Sequence, residues 1–259
     1  MKIIRVFYKK LNLIFRLLDP VIDIKKIMLS LPSYSKFFKD MIKFKRKDKL
    51  NLIKIRNIYP CIHDNTPSSN FDRHYIYHPA WAARILRKTN PNIHIDISST
   101  LHFCTIVSGF IKMKFYDFRP AQINLSNLSS EHADLTHLQF ESNSIMSLSC
   151  MHTVEHIGLG RYGDPIDPEG DIKAISELQR VLANNGNLLF VVPIGKSKIM
   201  FNAHRIYSYG QIINYFSNLE LLEFCLVPDD KQLGFIENAS VELADQQNYG
   251  CGCFWFRKN

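Results

Sequence analysis

The order of elements over residues 134–193 constrains the fold of this chain more than any other feature. An acidic residue, Asp134, opens a loop, and the apolar run 145–151 that follows predicts a buried strand. A helix over about 168–182 and a second apolar strand ending at Pro193 come next. This order of strand, helix and strand is typical of a parallel crossover unit, so the sequence favours an α/β fold.

The same alternation extends to both sides of that region. Residues 93–97 and 111–117 predict two strands separated by a helix, and LLEFCLV and YGCGCFWFRK predict the last two strands. At 259 residues the chain is long enough for one large α/β domain with an N-terminal extension. We therefore expect a Rossmann-like, mostly parallel sheet with helices on both faces.

Proline, glycine and capping residues set the expected helix boundaries. Pro79 is expected to open the first helix of the domain. Asp and Pro at 167–168 predict the start of the next long helix, and Asn-Asn-Gly at 184–186 predicts its end. Ser208 and Gln211 predict a capping box for a later helix.

Positive charge is concentrated in residues 1–58, which carry 16 Lys and Arg against 4 Asp and Glu. Residues 59–259 have a slight excess of acidic residues. This disfavours a nucleic-acid partner, because enzymes that bind nucleic acids usually place positive charge around the active site. We divide the chain into a basic helical extension, residues 1–70, and an α/β domain, residues 71–259. The loop-like segment CIHDNTPSSN lies at the border.

Residues 1–18 predict an amphipathic helix with an apolar face and a separate basic stripe. Such a helix binds an anionic membrane surface or packs against its own domain, and the sequence leaves both alternatives open. Neither a cleavable leader nor an apolar run of about 18 residues is evident. The expected location is therefore the cytoplasm, with the inner membrane face as an alternative.

The six cysteines form no CxxC pair, which indicates reduced thiols and no disulfide framework. Cys251 and Cys253 lie two residues apart in a predicted strand and therefore face the same side of the sheet. Core packing is favoured at these two positions over metal or redox chemistry, and no resident metal is expected.

Ligands bind an open parallel sheet at the carboxyl ends of its strands. Asp96, Ser98 and Ser99 follow the first strand in a loop that has no glycine before Gly109, and the serine hydroxyls can hydrogen-bond a carboxylate. Asp117 ends the second strand, 21 residues after Asp96, where a carboxylate can accept hydrogen bonds from ribose hydroxyls. The alternatives are an ordinary capped turn and a surface aspartate.

Three ionisable side chains follow the strand over 145–151. His152, Glu155 and His156 are candidates for a general base or a substrate-orienting group, and a bracing role in the sheet is the alternative. The letters HTVEH also match the signature of inverted zinc peptidases. Gly158 follows almost at once, which disfavours the long helix that such a metal site needs.

Two further segments carry candidate substrate-binding residues. Arg161, Tyr162 and Asp164 lie on a glycine-punctuated loop that can close over a substrate. His204 and Arg205 lie beyond the strand that ends at 193, and the guanidinium suits a carboxylate or phosphate of an acceptor. A structural ion pair is the alternative for Arg205.

Taken together, residues 78–257 resemble the class I S-adenosylmethionine (SAM)-dependent methyltransferase superfamily. More closely, SCMHTVEHIGLGRYGDPIDPEGDIKAISELQRVL and FNAHRIYS resemble an uncharacterised branch first catalogued as a nematode domain of unknown function. Bacterial members of that branch occur among surface-polysaccharide genes. The resemblance implies a seven-stranded sheet whose last strand is antiparallel.

The resemblance also implies SAM as the cofactor and methyl transfer as the reaction. The expected acceptor is a small or glycan-linked molecule, with a role in surface polysaccharide biosynthesis. The first loop lacks the family's glycine pair, so a catalytically inactive scaffold in a glycan-assembly complex is the alternative. The implied cofactor-binding residues are Asp96, Ser98 and Ser99 at the methionine end, Asp117 at the ribose, Asp134 and Leu135 at the adenine, and Phe118 and Met151.

Overall fold

The computed structural model describes residues 23–50 and 52–259. The chain divides into two compact units, Met1–Asn70 and Phe71–Asn259. The amphipathic helix expected over residues 1–18 lies outside the described residues. Across the described ranges, none of the helices combines the length and apolar character that a membrane span requires.

Among its described residues, 23–50 and 52–70, the first unit contains one long helix, α1 (Ile24–Lys47). The Asp23 side chain caps this helix by accepting a hydrogen bond from the backbone N–H of Lys26. Lysine and arginine residues occupy its last turn, where they interact favourably with the helix dipole. A short 3₁₀ helix follows at Ile55–Asn57.

The second unit is built on a seven-stranded sheet with the order β3-β2-β1-β4-β5-β9-β8. Six of these strands are parallel to one another, and β9 runs antiparallel to both of its neighbours. The prediction of a mostly parallel sheet with an antiparallel last strand is therefore confirmed. The strands are β1 (Ile93–Ile97), β2 (Lys112–Asp117), β3 (Leu128–His132), β4 (Ile145–Met151), β5 (Leu182–Ile194), β8 (Glu220–Val227) and β9 (Gly250–Arg257).

A small second sheet pairs β6 (Lys198–Met200) with β7 (His204–Ile206). The sequence analysis did not anticipate this hairpin, because strands of three residues are too short to show a periodic pattern. The hairpin contains His204 and Arg205, two of the expected acceptor-binding residues.

Two of the expected helix boundaries are wrong. The first helix of the domain, α2 (Arg73–Thr89), begins six residues before Pro79, because Asp72 accepts a hydrogen bond from Tyr75 and caps it there. Helix α4 (Gly170–Val181) begins after Glu169 rather than at Pro168.

The end of α4 also differs from the expectation. The turn expected at 184–186 lies within β5, because that strand starts directly after the helix at Leu182. The capping box of Ser208 and Gln211 is confirmed at the start of α5. The remaining helices are α3 (Leu101–Val107), α5 (Tyr209–Tyr215) and α6 (Val241–Gln246).

Apolar side chains cover both faces of the sheet, as burial under helices on each side requires. Five of the six cysteines are buried, and all six are free thiols. Cys251 and Cys253 project from the same face of β9, and their sulfur atoms lie 3.9 Å apart. Backbone pairing from Asn187–Arg257 to Ile194–Gly250 holds β9 beside β5, so β9 begins at the edge of the sheet where the parallel strands end.

Candidate functional site

A cavity of about 290 Å³ opens at the carboxyl edge of the sheet. It lies over the ends of β1, β2 and β4, the position that the topology of open α/β sheets assigns to ligands. Ten of the sequence-predicted site residues line it: Ser98, Ser99, Asp117, Phe118, Asp134, Leu135, His152, His156, Tyr162 and Asp164. Six do not line it: Asp96, Met151, Glu155, Arg161, His204 and Arg205.

The loop after β1 forms the floor of the cavity, and Ser98 has a left-handed backbone with a φ of 56°. Its N–H and its hydroxyl both donate to the carbonyl oxygen of Tyr116, at 2.7 and 3.1 Å. The Ser99 hydroxyl accepts a hydrogen bond from the N–H of Met151 at 3.1 Å. Both serine side chains are therefore bonded to the main chain of neighbouring strands, so the substitution for glycine leaves the cavity open.

Asp117 and Asp134 place carboxylates on two sides of the same cavity. Asp117 ends β2, and its Oδ1 accepts a hydrogen bond from the N–H of Arg119 at 2.7 Å. Asp134 accepts hydrogen bonds from the N–H and hydroxyl of Thr136 through a single oxygen, Oδ1. In each residue the second oxygen makes no hydrogen bond within the described part of the chain, so it remains available to a ligand.

Asp96 is fully buried beneath the loop rather than exposed in the cavity. Its carboxylate accepts hydrogen bonds from the N–H of Ser99 and the hydroxyl of Ser149. Burial raises the pKa of Asp96 to about 6, although the serine hydrogen bonds oppose that shift. Asp96 therefore holds the loop after β1 in shape and does not line the cavity above it.

The polar chain beneath Asp96 continues into the sheet through His94. The His94 ring bonds to the hydroxyls of Ser147 and Ser149, at 2.7 and 2.8 Å. Burial lowers the pKa of His94 to about 3, so this ring is neutral. The sequence analysis missed this chain, because its members come from two strands that only the sheet order makes adjacent.

His152 follows β4 with a φ of 56° and lines the cavity. Its Nδ1 bonds to Oε1 of the buried Glu155 at 2.8 Å. Burial alone would lower the pKa of His152, but Cys251 and Glu155 outweigh burial and raise that pKa to about 10. An imidazole that keeps its proton at neutral pH cannot act as a general base.

His156 has the opposite electrostatic character. Burial lowers its pKa, although Glu155 opposes that shift, so the ring is neutral at physiological pH. Its Nδ1 donates to the carbonyl oxygen of Ala203 at 2.6 Å, and its Nε2, the remaining proton-accepting atom, lies 3.8 Å from Oε1 of Glu155. Of the two histidines proposed as bases, only His156 combines a neutral ring with a place on the cavity wall.

The glycine-punctuated loop after His156 is shaped by Asp164. One oxygen of its carboxylate accepts hydrogen bonds from the N–H groups of Gly158 and Gly160, at 2.8 and 3.3 Å. A Cβ on Gly158 would lie 2.0 Å from the carbonyl oxygen of Asp167, so only glycine fits that turn. This loop carries Tyr162 to the rim of the cavity.

Two guanidinium groups contact the exposed ring of Tyr162. The Arg119 guanidinium carbon lies 4.6 Å from the ring centroid, and that of Arg161 lies 5.1 Å from it. Arg161 also donates to the carbonyl oxygen of Ala203 at 2.9 Å. Arg119 was not among the predicted site residues, although its place two residues after Asp117 could have indicated it.

Arg205 has a structural role in the protein. It is 4 % exposed, and its Nε lies 3.4 Å from a carboxylate oxygen of the buried Asp171. Its terminal nitrogens donate to the carbonyl oxygens of Ile157 and Pro168, at 2.6 and 3.2 Å. Arg205 therefore ties the two ends of the glycine-punctuated loop to α4, which corresponds to the structural alternative left open by the sequence.

The remaining predicted residues lie near the cavity without lining it. Met151 is fully buried within the apolar layer that includes Cys251. His204 is partly buried, with its ring centroid 4.7 Å from that of Tyr249. The cavity wall also contains Tyr75 and Thr153, two residues that the sequence analysis did not single out.

The HTVEH segment does not adopt the geometry of an inverted zinc peptidase. Only Val154–His156 are helical, as a single 3₁₀ turn, and His152 lies before it. His156 is bonded to Ala203 through Nδ1, whereas His152 is bonded to Glu155. The two rings therefore do not stand on one face of a helix, as that class of metal site requires.

Solved structures of methyltransferases share this fold. One of them is an N1-methyltransferase from Burkholderia thailandensis with bound 1,6-didemethyltoxoflavin and S-adenosylhomocysteine. It is 11 % identical to this chain with a TM-score of 0.51, and the match covers 71 % of this chain and 79 % of that chain. The N-methyltransferase NodS from Bradyrhizobium japonicum, in complex with S-adenosylhomocysteine, is 13 % identical with a TM-score of 0.51, over 73 % and 89 %.

A third structure, from Galdieria sulphuraria, is described provisionally as a sarcosine dimethylglycine methyltransferase. It is 14 % identical to this chain with a TM-score of 0.50, and the match covers 71 % of this chain and 85 % of that chain. At these identities the likeness shows a class I methyltransferase fold.

No curated protein matches the sequence. The family model described as "Caenorhabditis protein of unknown function, DUF268" matches residues 111–243. With just over half of its length matched, the chain belongs to this DUF268 family, within the methyltransferase fold.

Proposed function

We propose that this protein is a SAM-dependent methyltransferase that acts on a small or glycan-linked acceptor. The observation that carries the proposal is the placement of Asp117 and Asp134 on one cavity, each with a carboxylate oxygen free of protein hydrogen bonds. Two carboxylates at the ends of neighbouring strands suit a nucleoside, because ribose hydroxyls and the adenine amino group are hydrogen-bond donors.

The size of the cavity is compatible with a small ligand. Its volume of about 290 Å³ lies just below the range of about 300–1,000 Å³ that is typical of small-ligand sites. Asp117 would hold the ribose, Asp134 with Leu135 the adenine, and the Ser98–Ser99 loop the methionine end. Phe118 is exposed beside Asp117 and offers an apolar surface to the adenosine.

Bound SAM would supply an electrophilic methyl group, and the protein would supply positioning and a proton acceptor. For a hydroxyl acceptor, His156 Nε2 is the proposed base, because burial keeps the ring neutral and Ala203 fixes its tautomer. His152 does not take this role, since its proton is held by Glu155 and Cys251.

The rim of the cavity supports a sugar or an anionic acceptor. Tyr162 is 40 % exposed and presents an aromatic ring beside the cavity, and Arg119 and Arg161 add positive charge around it. An aromatic face flanked by guanidinium groups suits a glycan that carries carboxylate or phosphate groups. This arrangement supports a role in surface polysaccharide biosynthesis.

A scaffold without catalysis is the second candidate, and the serine loop favours it. The Ser98 hydroxyl, expected from the sequence to hydrogen-bond a ligand carboxylate, donates instead to the carbonyl oxygen of Tyr116, so the loop has one donor fewer for the methionine end of SAM. The two functions differ in one property, because only the methyltransferase needs to bind SAM or its product.

Calorimetry with S-adenosylhomocysteine separates the two functions. The wild type is expected to bind, and Asp117→Asn is expected to weaken binding by about tenfold or more, because a charge-assisted hydrogen bond to ribose is lost. Asp230→Asn is the matched control, since Asp230 accepts a hydrogen bond from the N–H two residues later, as Asp117 does, away from the cavity. Wild-type protein that does not bind at millimolar ligand would leave the scaffold as the function.

We further propose that the basic N-terminal extension, residues 1–70, brings the methyltransferase-like domain, residues 71–259, to an anionic membrane surface. The motivation is the net positive charge of residues 1–58 and the amphipathic pattern of residues 1–18. Deleting residues 1–18 is expected to shift the protein from the membrane to the soluble fraction of a cell lysate. An unchanged distribution would contradict the membrane role.

A further inference from the structure

Three histidines and one cysteine meet beside the cavity at a place that the proposed methyl transfer does not use. We name this set, His74, His78, His152 and Cys251, the imidazole–thiol cluster. One donor atom from each of His74, His152 and Cys251 lies within 4.8 Å of the other two. We propose that the cluster binds one divalent transition-metal ion of the zinc type.

The fold brings these residues together from three distant parts of the chain. His74 and His78 are four residues apart in the first turns of α2, so they lie on the same face of that helix. His152 directly follows β4. Cys251 lies near the start of β9, and because β9 is antiparallel, its start lies at the carboxyl edge where β4 ends.

Sheet register places the thiol level with His152. Met151 pairs with Val191 across β4 and β5, and Pro193 pairs with Cys251 across β5 and β9. His152, one residue after Met151, is therefore at nearly the same height at the carboxyl edge as Cys251. The approach of these two donors is fixed by backbone pairing and does not depend on a mobile loop.

His152 is oriented in the manner of a metal ligand. Its Nδ1 bonds to Glu155, its Nε2 is buried without a hydrogen bond of ordinary length in the described residues, and the Cys251 thiol lies close to the ring. A metal ion bound here would replace the proton that the ring otherwise keeps at neutral pH. A carboxylate on the second ring nitrogen is the usual support of a metal-binding histidine, because it fixes the tautomer and increases the basicity of the ligand. Glu155 is 1 % exposed, so it can serve this role without competition from water.

His78 is a second buried imidazole of the cluster with weak protein partners. Neither of its ring nitrogens makes a hydrogen bond of ordinary length within the described ranges, although the Cys251 thiol and the His74 backbone lie close enough to oppose the effect of burial, which lowers its pKa. Its ring centroid lies 5.2 Å from that of His152. A buried imidazole left unpaired costs about 1–3 kcal/mol, and a coordinate bond or a hydrogen bond to a metal-bound water would remove that cost.

The donor types select the metal. Two or three imidazoles with one thiolate suit zinc and similar borderline-soft ions, whereas magnesium and calcium prefer oxygen ligands. Bonds of about 2.0–2.3 Å in a tetrahedral site bring donor atoms to roughly 3.3–3.8 Å from one another. The donor atoms must therefore approach by about 1 Å. The His74 ring, which stacks on His152 with 15° between the two planes, must also rotate so that one of its nitrogens faces the shared ion.

Competing roles for the cluster do not require a metal. A buried pair of Cys251 and His152 could hold a shared proton, and Cys253, 3.9 Å from Cys251, could form part of a purely packed core. The spacing of the two cysteines in the sequence favours packing, whereas the fold places His74 and His152 beside Cys251. The three roles differ in whether the full chain binds a metal through sulfur.

The test is metal analysis and Co²⁺ titration of the full-length protein, with optical absorption as the readout. The expected result is about one zinc per chain as purified. After chelation, one Co²⁺ per chain should bind, with a thiolate-to-cobalt charge-transfer band and strong tetrahedral ligand-field bands. A protein that binds less than about one tenth of an equivalent, or binds Co²⁺ with no sulfur band, overturns the proposal.

Variants assign the ligands. Cys251→Ser is expected to remove the charge-transfer band, whereas Cys225→Ser, a buried cysteine on β8 outside the cluster, keeps it. His74→Ala is expected to lower Co²⁺ affinity by about tenfold or more, with the exposed His102→Ala as its control. Glu155→Gln is expected to lower affinity by about 10–100-fold, because it supports His152.

Loss of metal binding through a ligand substitution can be distinguished from loss of metal binding through misfolding. Far-ultraviolet circular dichroism of each variant checks the fold, and His74→Ala, at a half-buried helix position, tests the site even where Cys251→Ser fails to fold. Co²⁺ affinity equal to wild type in both His74→Ala and Glu155→Gln overturns the proposal. Metal binding also needs no cofactor, so a failure here is distinct from a failure to bind S-adenosylhomocysteine.

Discussion

Ser98 donates its hydroxyl to the carbonyl oxygen of Tyr116 at 3.1 Å while its backbone holds a left-handed φ of 56°. This contact explains how a serine occupies a loop where the family resemblance leads one to expect glycine. The side chain is directed to the neighbouring strand β2, and the backbone of the loop keeps the conformation that a glycine would adopt. The loop after β1 therefore has a serine in a backbone conformation that glycine would adopt without strain.

The left-handed conformation predicts which side chains Ser98 can be exchanged for. Ser98→Val is expected to lower the free energy of unfolding by about 2 kcal/mol, because a β-branched residue is strained at positive φ. Ser98→Gly is expected to stay within about 1 kcal/mol of wild type. Chemical denaturation measures both.

Ser129→Val is the matched control for that substitution. Ser129 lies in β3, where the backbone is extended and its hydroxyl makes no hydrogen bond within the described residues. Valine suits such a position, so the control is expected to be neutral or slightly stabilising. Equal losses at the two serines would show that the backbone of the loop is not strained.

Asp96 makes stability depend on pH. Its pKa is about 6 in the folded protein, above its ordinary value of 3.8, so the folded state binds the proton more tightly than the unfolded state. The contribution of Asp96 to the unfolding free energy therefore falls as the pH rises from about 4 to about 6 and is constant above that range.

Asp96→Asn removes this dependence because asparagine does not ionise. Between about pH 4 and pH 7, the unfolding free energy of the variant relative to wild type should shift by on the order of 3 kcal/mol in favour of the variant. Urea denaturation at the two pH values measures the shift. A difference between the two proteins that does not change with pH would contradict the burial of an ionisable carboxyl at this position.

Arg205 is buried and Arg161 is exposed, so the cost in stability of replacing each one distinguishes a structural arginine from a surface arginine. Arg205→Ala is expected to cost about 3–5 kcal/mol of unfolding free energy, because it leaves the buried Asp171 without its cation. Arg161→Ala, at an exposed position, is expected to cost less than about 1 kcal/mol. Thermal unfolding of the two variants compares them, and similar small losses would return Arg205 to the list of acceptor-binding candidates.

Gly158 and Gly163 test the shape of the loop that carries Tyr162. Both have positive φ, but a Cβ would meet the carbonyl oxygen of Asp167 only at Gly158. Gly158→Ala is expected to destabilise by about 3 kcal/mol or more, and Gly163→Ala by about 1 kcal/mol. Thermal denaturation distinguishes them, and equal losses would mean that the close approach at Gly158 is absent in solution.

The sequence could predict those parts of the molecule that local patterns determine. The strands at 93–97 and 145–151 are confirmed residue for residue, because short segments rich in apolar residues specify strands when turn residues precede and follow them. The capping box of Ser208 is confirmed because it depends on two side chains three residues apart. The antiparallel last strand came from the family resemblance and is confirmed as well.

The imidazole–thiol cluster could not be predicted in the same way. Its members are separated by up to 177 residues, and only the order of the strands brings Cys251 beside His152. A local error concealed the other half of the cluster, because placing the start of the helix at Pro79 left His74 and His78 outside it. With the cap at Asp72 recognised, their spacing of four would have indicated a shared helical face.

The structural roles of buried charged residues could not be predicted from the sequence either. Arg205 and Asp96 carry charges that suit a ligand, and the pattern of residues around them gives no sign of burial. Whether such a side chain faces the cavity or the core depends on packing between distant elements, such as Arg205 against Asp171. Side-chain direction at the edge of a sheet is thus the property that required the structure.

The most direct test of the methyltransferase account is a crystal structure of the full chain with S-adenosylhomocysteine. The account predicts the adenosine in the cavity, with ribose hydroxyls bonded to Asp117 and the adenine beside Asp134 and Leu135. A ligand bound elsewhere, or a cavity that stays closed by the chain's own side chains at saturating ligand, would contradict it.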